Sequence, residues 1–326
     1  MTRLRPFLLA RAGHALTVLV VIVTLVFVLF RLTPGDPFLA RSQEHATEEE
    51  HAAFRARWGY DRPIAVQYVK WVGNFVSGDF GWSHSAQRPV REVLATAFVN
   101  STLLMIPAFV LGWLGAVALG TWQAFRQGRW LARASETVAI GVLSIPDFVM
   151  ALAALWVFAF RLRLAPSGGM VDVALHDSLT LAGRTADVVA HLALPALTLA
   201  VVVMFAVSRY HRAAVLGVLH EDYVRTARAS GAAESDVVRR HVLPNALGPA
   251  IAVAGILLPG MFAGGVFVEK VFAWPGMGRT LVDAVLGRDF ELVQAIVVVS
   301  TVAIALGSAL ADIVAVTFNP RVQLDT

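Results

Sequence analysis

Residues able to do chemistry are most densely placed between Glu221 and Asn245, EDYVRTARASGAAESDVVRRHVLPN. Arg225, Arg228, Arg239 and Arg240 stand there among the small residues Ala227, Ala229, Ala232 and Ala233. Guanidinium groups grip carboxylates with a planar fork, and small side chains let a helix settle closely into a groove. Such a stretch suits docking on a partner, although an ordinary basic loop at a membrane face has a similar composition. Bond-making motifs fail elsewhere. His220-Glu221 is not followed by His at 224, so the zinc-protease pattern is absent. No Gly-x-Ser-x-Gly nucleophile elbow occurs. A phosphate-cradling loop needs Gly-Lys before Ser or Thr, but the only lysines, Lys70 and Lys270, follow Val69 and Glu269. The chain has no cysteine, which excludes thiolate chemistry, disulfides and Cys-ligated metal. The sequence therefore predicts a non-catalytic chain with no metal site. A net charge of +4 without a concentrated basic face also argues against a nucleic-acid partner.

The elements that position these residues lie in a membrane. Hydrophobic residues make up 57% of the 326 and charged ones 15%, against roughly 45–50% and about 25% in soluble domains. Mean hydropathy is +0.66. A spanning helix needs about 20 mostly apolar residues, and six stretches qualify: Ala12 to Phe30, Ala97 to Trp122, Thr137 to Phe160, Val188 to Ser208, Leu247 to Val268 and Leu292 to Phe318. The first follows Arg3, Arg5 and Arg11, as a signal peptide would, but it is long and no small-x-small cleavage site follows. It is read as a retained span. The segments between spans alternate between basic and neutral, which predicts both termini in the cytoplasm.

The predicted fold is an all-α integral membrane protein of six transmembrane helices. Residues 1–96 comprise the first helix and a long outer loop. Residues 97–318 form a five-helix core carrying the cytoplasmic loop 209–245, and 319–326 are a cytoplasmic tail. The outer loop has a helix-compatible run from Ser42 to Arg57 and an aromatic, Gly-rich part from Trp71 to Trp82, which together suggest a small folded cap. In the cytoplasmic loop, helices are expected over Glu221–Ser230 and Glu234–Val242. Gly231 should cap the first in the left-handed region, and the second should stop before Leu243-Pro244.

Polar residues inside spans are functional candidates by default. Asp147, after the kink-forming Pro146, is a candidate pore residue or a solvated boundary residue. Asp312 is assigned to pairing or capping, and His14, His191 and His211 to span ends. Gly260 and Gly264 form a small-xxx-small pattern suited to helix packing. Asn100-Ser101-Thr102 fits a glycosylation sequon, read here as coincidence.

The loop resembles the cytoplasmic EAA loop of binding-protein-dependent ABC transporter permeases. Arg225-Thr226-Ala227, Gly231 and Leu243-Pro244 fall in its register, with Arg and Thr in place of Glu and the first Ala. Tyr223 to Gly231, YVRTARASG, looks like the variant of the dipeptide/oligopeptide subgroup, and the long first outer loop is similar to that of its B-type subunit. The resemblance extends in order through Arg31 to Pro37, Gly78 to Gly81, Ser144-Ile145-Pro146, Leu194-Pro195, Val268-Glu269 and Asn319-Pro320-Arg321.

It implies the type I ABC importer permease fold and a place in a bacterial or archaeal plasma (inner) membrane. It implies four kinds of association: a homologous permease subunit, two ABC ATPase subunits, an extracytoplasmic solute-binding protein and the membrane itself. Tyr223, Arg225, Thr226, Ala227, Arg228, Ala229 and Gly231 would dock on an ATPase, and Leu243 and Pro244 would set the return into the fifth span. Glu269, Phe272, Trp274, Pro275, Gly276 and Gly278 would form a re-entrant turn meeting the binding protein at the translocation mouth. The run Trp274-Pro275-Gly276 with Gly278 itself reads as a rigid turn with an exposed aromatic, where the alternative is a plain outer connection. No cofactor is implied for this chain; ATP and Mg belong to the ATPases. The subgroup implies di- or oligopeptide cargo, with nickel chelates or glutathione as alternatives. A proton-coupled secondary transporter is the rival from another class.

Overall fold

A computed structural model of the chain describes residues 4–32 and 62–318. The Ser42 to Arg57 run and Asn319-Pro320-Arg321 lie outside them. In chain order the elements are α1 (Leu4–Leu32), α2 (Ile64–Val76), a hairpin of β1 (Trp82–Ser83) and β2 (Arg88–Pro89), α3 (Val90–Phe125), α4 (Trp130–Leu143) and α5 (Asp147–Ala154). A π-helical stretch, Leu155–Arg161, prolongs α5. Then follow a 3₁₀ turn (His176–Ser178), α6 (Leu181–Leu219), α7 (Asp222–Ala229), α8 (Glu234–Asp236), a π-helical stretch Val237–Val242, α9 (Leu243–Val271), α10 (Met277–Leu286) and α11 (Phe290–Phe318). Among the described residues, five helices are long and apolar enough to span a membrane, and a bent pair makes up to six.

That bent pair corrects the third predicted span. α4 and α5 meet at 106°, broken at Ser144-Ile145-Pro146. Pro146 has no N–H to give, and its ring drives Ile145 out of the helical region. Pro107 and Pro195, by contrast, stay inside α3 and α6.

α3 and α6 run side by side in the same direction and form the core with α9. Their closeness comes from Gly112, Ala116 and Gly120, which recur every fourth residue on one face of α3. A Cβ on Gly112 would lie 2.6 Å from the Ala200 carbonyl oxygen, and one on Gly120 2.8 Å from that of Ser208. Ala116 is fully buried. The small-residue packing expected at Gly260 is therefore made elsewhere, because a Cβ on Gly260 would meet nothing within 4 Å. Gly264 lies outside the residues whose side chains are described. On α9 the close approaches are those of Gly255 to Ala311 of α11 and of Gly265 to Met105 of α3.

α1 ends beside the start of α11, with Phe30 and Phe290 5.5 Å apart. Leu4 and Phe318 therefore share one end of the bundle with α7, here called the lower end. Leu32, the hairpin and α10 lie at the upper end. The loop entering α6 is also upper, and it is tied down by Asp187. That carboxylate meets His176 Nδ1 at 2.7 Å and His191 Nδ1 at 3.0 Å, and accepts from the Asp172 N–H.

Candidate functional site

α6 is longer than a bilayer crossing needs. Its 39 residues measure ~58 Å at 1.5 Å each, about twice a ~30 Å hydrocarbon core. The lower end of α6 carries α7. Val224 is fully buried in an apolar pocket formed with Ala124, Val215, Val237, Val242 and Ala246, and Ala227 packs on its rim. Tyr223, Arg225, Thr226, Arg228 and Ala229 remain exposed, so one side of the helix seats it and the other faces outward.

The chain then reverses through a Schellman motif. Ala232 N–H donates to the Ala227 carbonyl at 3.2 Å and Gly231 N–H to that of Arg228 at 3.0 Å. Gly231 takes the left-handed φ of +81° this turn requires. Arg228 crosses the turn to Glu234 with two hydrogen bonds, of 2.6 and 3.2 Å. The hydrogen bond to Glu234 also raises the guanidinium pKa above its ordinary value.

The predicted stop before Leu243-Pro244 does not occur. The helix opened by Glu234 passes through the π-helical Val237–Val242 directly into α9, with Pro244 in its first turn. A proline there removes an N–H that the π stretch has already taken out of α-helical register, so the chain continues.

At the upper end Glu269 organises the turn between α9 and α10. It is fully buried and accepts from Ser101 Oγ at 2.5 Å, from Gly278 N–H at 2.7 Å and from Arg279 N–H at 3.1 Å. The last two are orphan donors of α10's first turn, where a carboxylate also complements the helix dipole. Ser101 Oγ in turn accepts from Met277 N–H at 2.8 Å.

Trp274 is fully buried, and its indole donates to the Asn100 carbonyl at 2.8 Å. The Asn100 amide returns a bond to the Pro275 carbonyl at 2.9 Å. Glycines at 276 and 278 answer to space. A Cβ would stand 2.3 Å from Glu269 Oε1 at Gly276, and 2.5 Å from the Val266 Cα at Gly278. Arg279 Nη1 also bonds the Ala273 carbonyl.

Trp274 is thus not the exposed aromatic the sequence suggested. Glu269, Phe272, Gly276 and Gly278 are likewise buried, and Pro275 is half-buried. They clamp the turn onto α3 and leave surface contact to neighbours such as Lys270 and Asp283, whose side chains pair at 2.5 Å. Asn100 and Ser101, dismissed as a chance sequon, are the α3 half of the clamp. Asp147 opens α5 just past the break, half-buried.

Two family models cover nearly the whole chain. Residues 116–324 match the binding-protein-dependent transport system inner membrane component. Residues 3–105 match the N-terminal part of the membrane component of the same systems. The chain belongs to this permease family. The permease is 33% identical to the oligopeptide transport system permease protein AppB of Bacillus subtilis, over 97% of this chain and 99% of that one. It is 32% identical to the glutathione transport system permease protein GsiC of Salmonella typhimurium, over 97% and 98%. An inward-facing structure of the MetNI methionine ABC transporter matches 70% of this chain and 96% of its own with a TM-score of 0.56; at 17% identity this speaks for the fold. The permease is therefore a multi-pass inner-membrane component of an ABC importer with the type I permease fold. Its family supplies transport systems with their membrane part and implies ATPase and binding-protein components beside it.

Proposed function

We propose that this permease forms half of the translocation pore of an ATP-driven importer of di- and oligopeptides, paired with a homologous permease subunit. The observation that carries this reading is its similarity, along almost its entire length, to an oligopeptide permease. Two ATPase subunits bind ATP and Mg, this chain binds no cofactor, and an extracytoplasmic binding protein delivers the cargo. Tyr223, Arg225, Thr226, Arg228 and Ala229 contact an ATPase. Ala227, Gly231, Leu243 and Pro244 keep that face aligned with α9. In this reading Val224 transmits the load: a helix seated by a buried side chain moves its neighbours when it is pushed, as a rigid-body switch requires. Glu269, Phe272, Trp274, Pro275, Gly276 and Gly278 shape the translocation mouth from beneath its surface. Asp147, at the break in the third span, faces the pore.

A second reading keeps the machine and changes the cargo to glutathione, itself a small peptide, because GsiC is nearly as similar. Nickel chelates are a third. Reconstitution with the neighbouring permease, ATPases and binding protein tests all three. Uptake of a labelled tripeptide, driven by ATP and lost in an Ala227→Glu variant, is the expected result. Uptake of glutathione or a nickel chelate alone would replace the peptide reading. Transport without any ATPase would overturn the proposal.

A further inference from the structure

α2 follows the first span in sequence and lies alongside it. Its contacts with α1 advance together: the Tyr68 hydroxyl meets Thr24 Oγ1 at 2.8 Å, Trp71 lies 5.6 Å from Phe27, and Phe75 packs in one cluster with Phe30. The two helices therefore run in the same direction, side by side. On the other flank, Trp71 Nε1 donates to Gln294 Oε1 at 3.0 Å, one turn inside α11. Thr24 precedes the end of α1 at Leu32 by eight residues, or ~12 Å of helix rise. Tyr68 reaches that depth and α2 begins a turn earlier, within the stretch that α1 needs to cross the bilayer.

The side of α2 turned away from the protein is apolar. Val66, Val69 and Val76 are 42%, 69% and 85% exposed and fall with Gly73 on one stripe at helical spacing. In water this stripe would be unfavourable. It is continuous in level with the outward residues Val21, Leu25 and Leu29 of α1, which are also exposed. Lys70 is the one charge on the stripe, and its long stem lets the ammonium snorkel to the surface.

We propose that α2 is embedded in the upper leaflet, with Val66, Val69, Gly73 and Val76 against lipid acyl chains. The first inter-span loop thereby includes a partial membrane insertion beside α1. This stands whatever the cargo is.

The chain's lack of cysteine makes the test direct. Single cysteines at Val66, Val69, Gly73 and Val76 carry a spin label in the full transporter, reconstituted in phosphatidylethanolamine–phosphatidylglycerol vesicles. Leu25 serves as the lipid reference and Gln87 in the hairpin as the aqueous one. The ratio of oxygen to nickel-chelate accessibility should rise several-fold from Val76 to Val66 and approach that of Leu25. Chelate accessibility at Val66 and Val69 equal to that at Gln87 would place α2 in water and overturn the proposal. Exclusion of both probes would mean that a protein partner covers the stripe, which overturns it equally.

Discussion

Replacing Glu269 by Ala should be the most damaging single truncation at the upper turn. The change strands the Gly278 and Arg279 N–H groups, which the carboxylate holds at 2.7 and 3.1 Å, and removes the acceptor of Ser101 Oγ at 2.5 Å. A buried donor left unsatisfied costs ~1–3 kcal/mol, so two of them and a lost charge-assisted bond come to about 4 kcal/mol. At ~2 °C per kcal/mol for a chain larger than a typical domain, the melting temperature should fall by about 8 °C. Intrinsic tryptophan fluorescence of the purified permease in detergent reads this well, because Trp274 is buried in the same clamp. Glu269→Gln separates charge from shape. Its amide oxygen still accepts from α10, so the loss should be about 1 kcal/mol, the scale of one weakened bond. A melting temperature within about 1 °C of wild type for Glu269→Ala would refute the clamp. So would a Gln variant as unstable as the Ala variant.

Val224→Ala removes two methyl groups from the α7 socket, worth about 1.6 kcal/mol in transfer terms. ATP hydrolysis by the reconstituted importer should persist but lose its stimulation by loaded binding protein. Gly231→Ala forces a Cβ onto a φ of +81° and should lower stability by ~1 kcal/mol, measured by thermal melting. Gly120→Ala drives a Cβ to 2.8 Å from the Ser208 carbonyl oxygen. The helices must part, at a cost of ~1–3 kcal/mol, visible as reduced accumulation of folded protein in membranes. Asp187→Asn weakens the contacts with His176 and His191, so limited proteolysis should cut residues 162–180 faster than in wild type.

Apolar run length made the spans legible, and Gly231 made the turn after α7 legible, because both signals are local. The break at Ser144-Ile145-Pro146 was half legible. A proline announces a kink, but nothing local says that Pro146 turns the chain by 106° while Pro107 and Pro195 do not. Neighbours decide that. Gly260 and Gly264 drew attention as a small-residue pattern when Gly112, Ala116 and Gly120 carried a longer one, and choosing between them needs to know which face meets α6. The upper clamp was the least legible part. Glu269 and Ser101 are separated by 168 residues, and a Trp-Pro-Gly run looks exposed until its indole finds a carbonyl on another helix.

The π-helical passage from Val237 to Val242 has a geometric consequence for everything above it. Each residue of an α-helix turns the chain by ~100°, so the extra residue a π turn admits changes the azimuth of all that follows. From Glu234 to Val271 the rod is continuous, with the α7 socket at its foot and Glu269 near its tip. The passage thus sets the angle between the side of the rod that receives α7 and the side that holds α10. Removing one residue there would turn the Glu269 end about a quarter-turn relative to the foot and would also shift Val237 against Val242 within the socket.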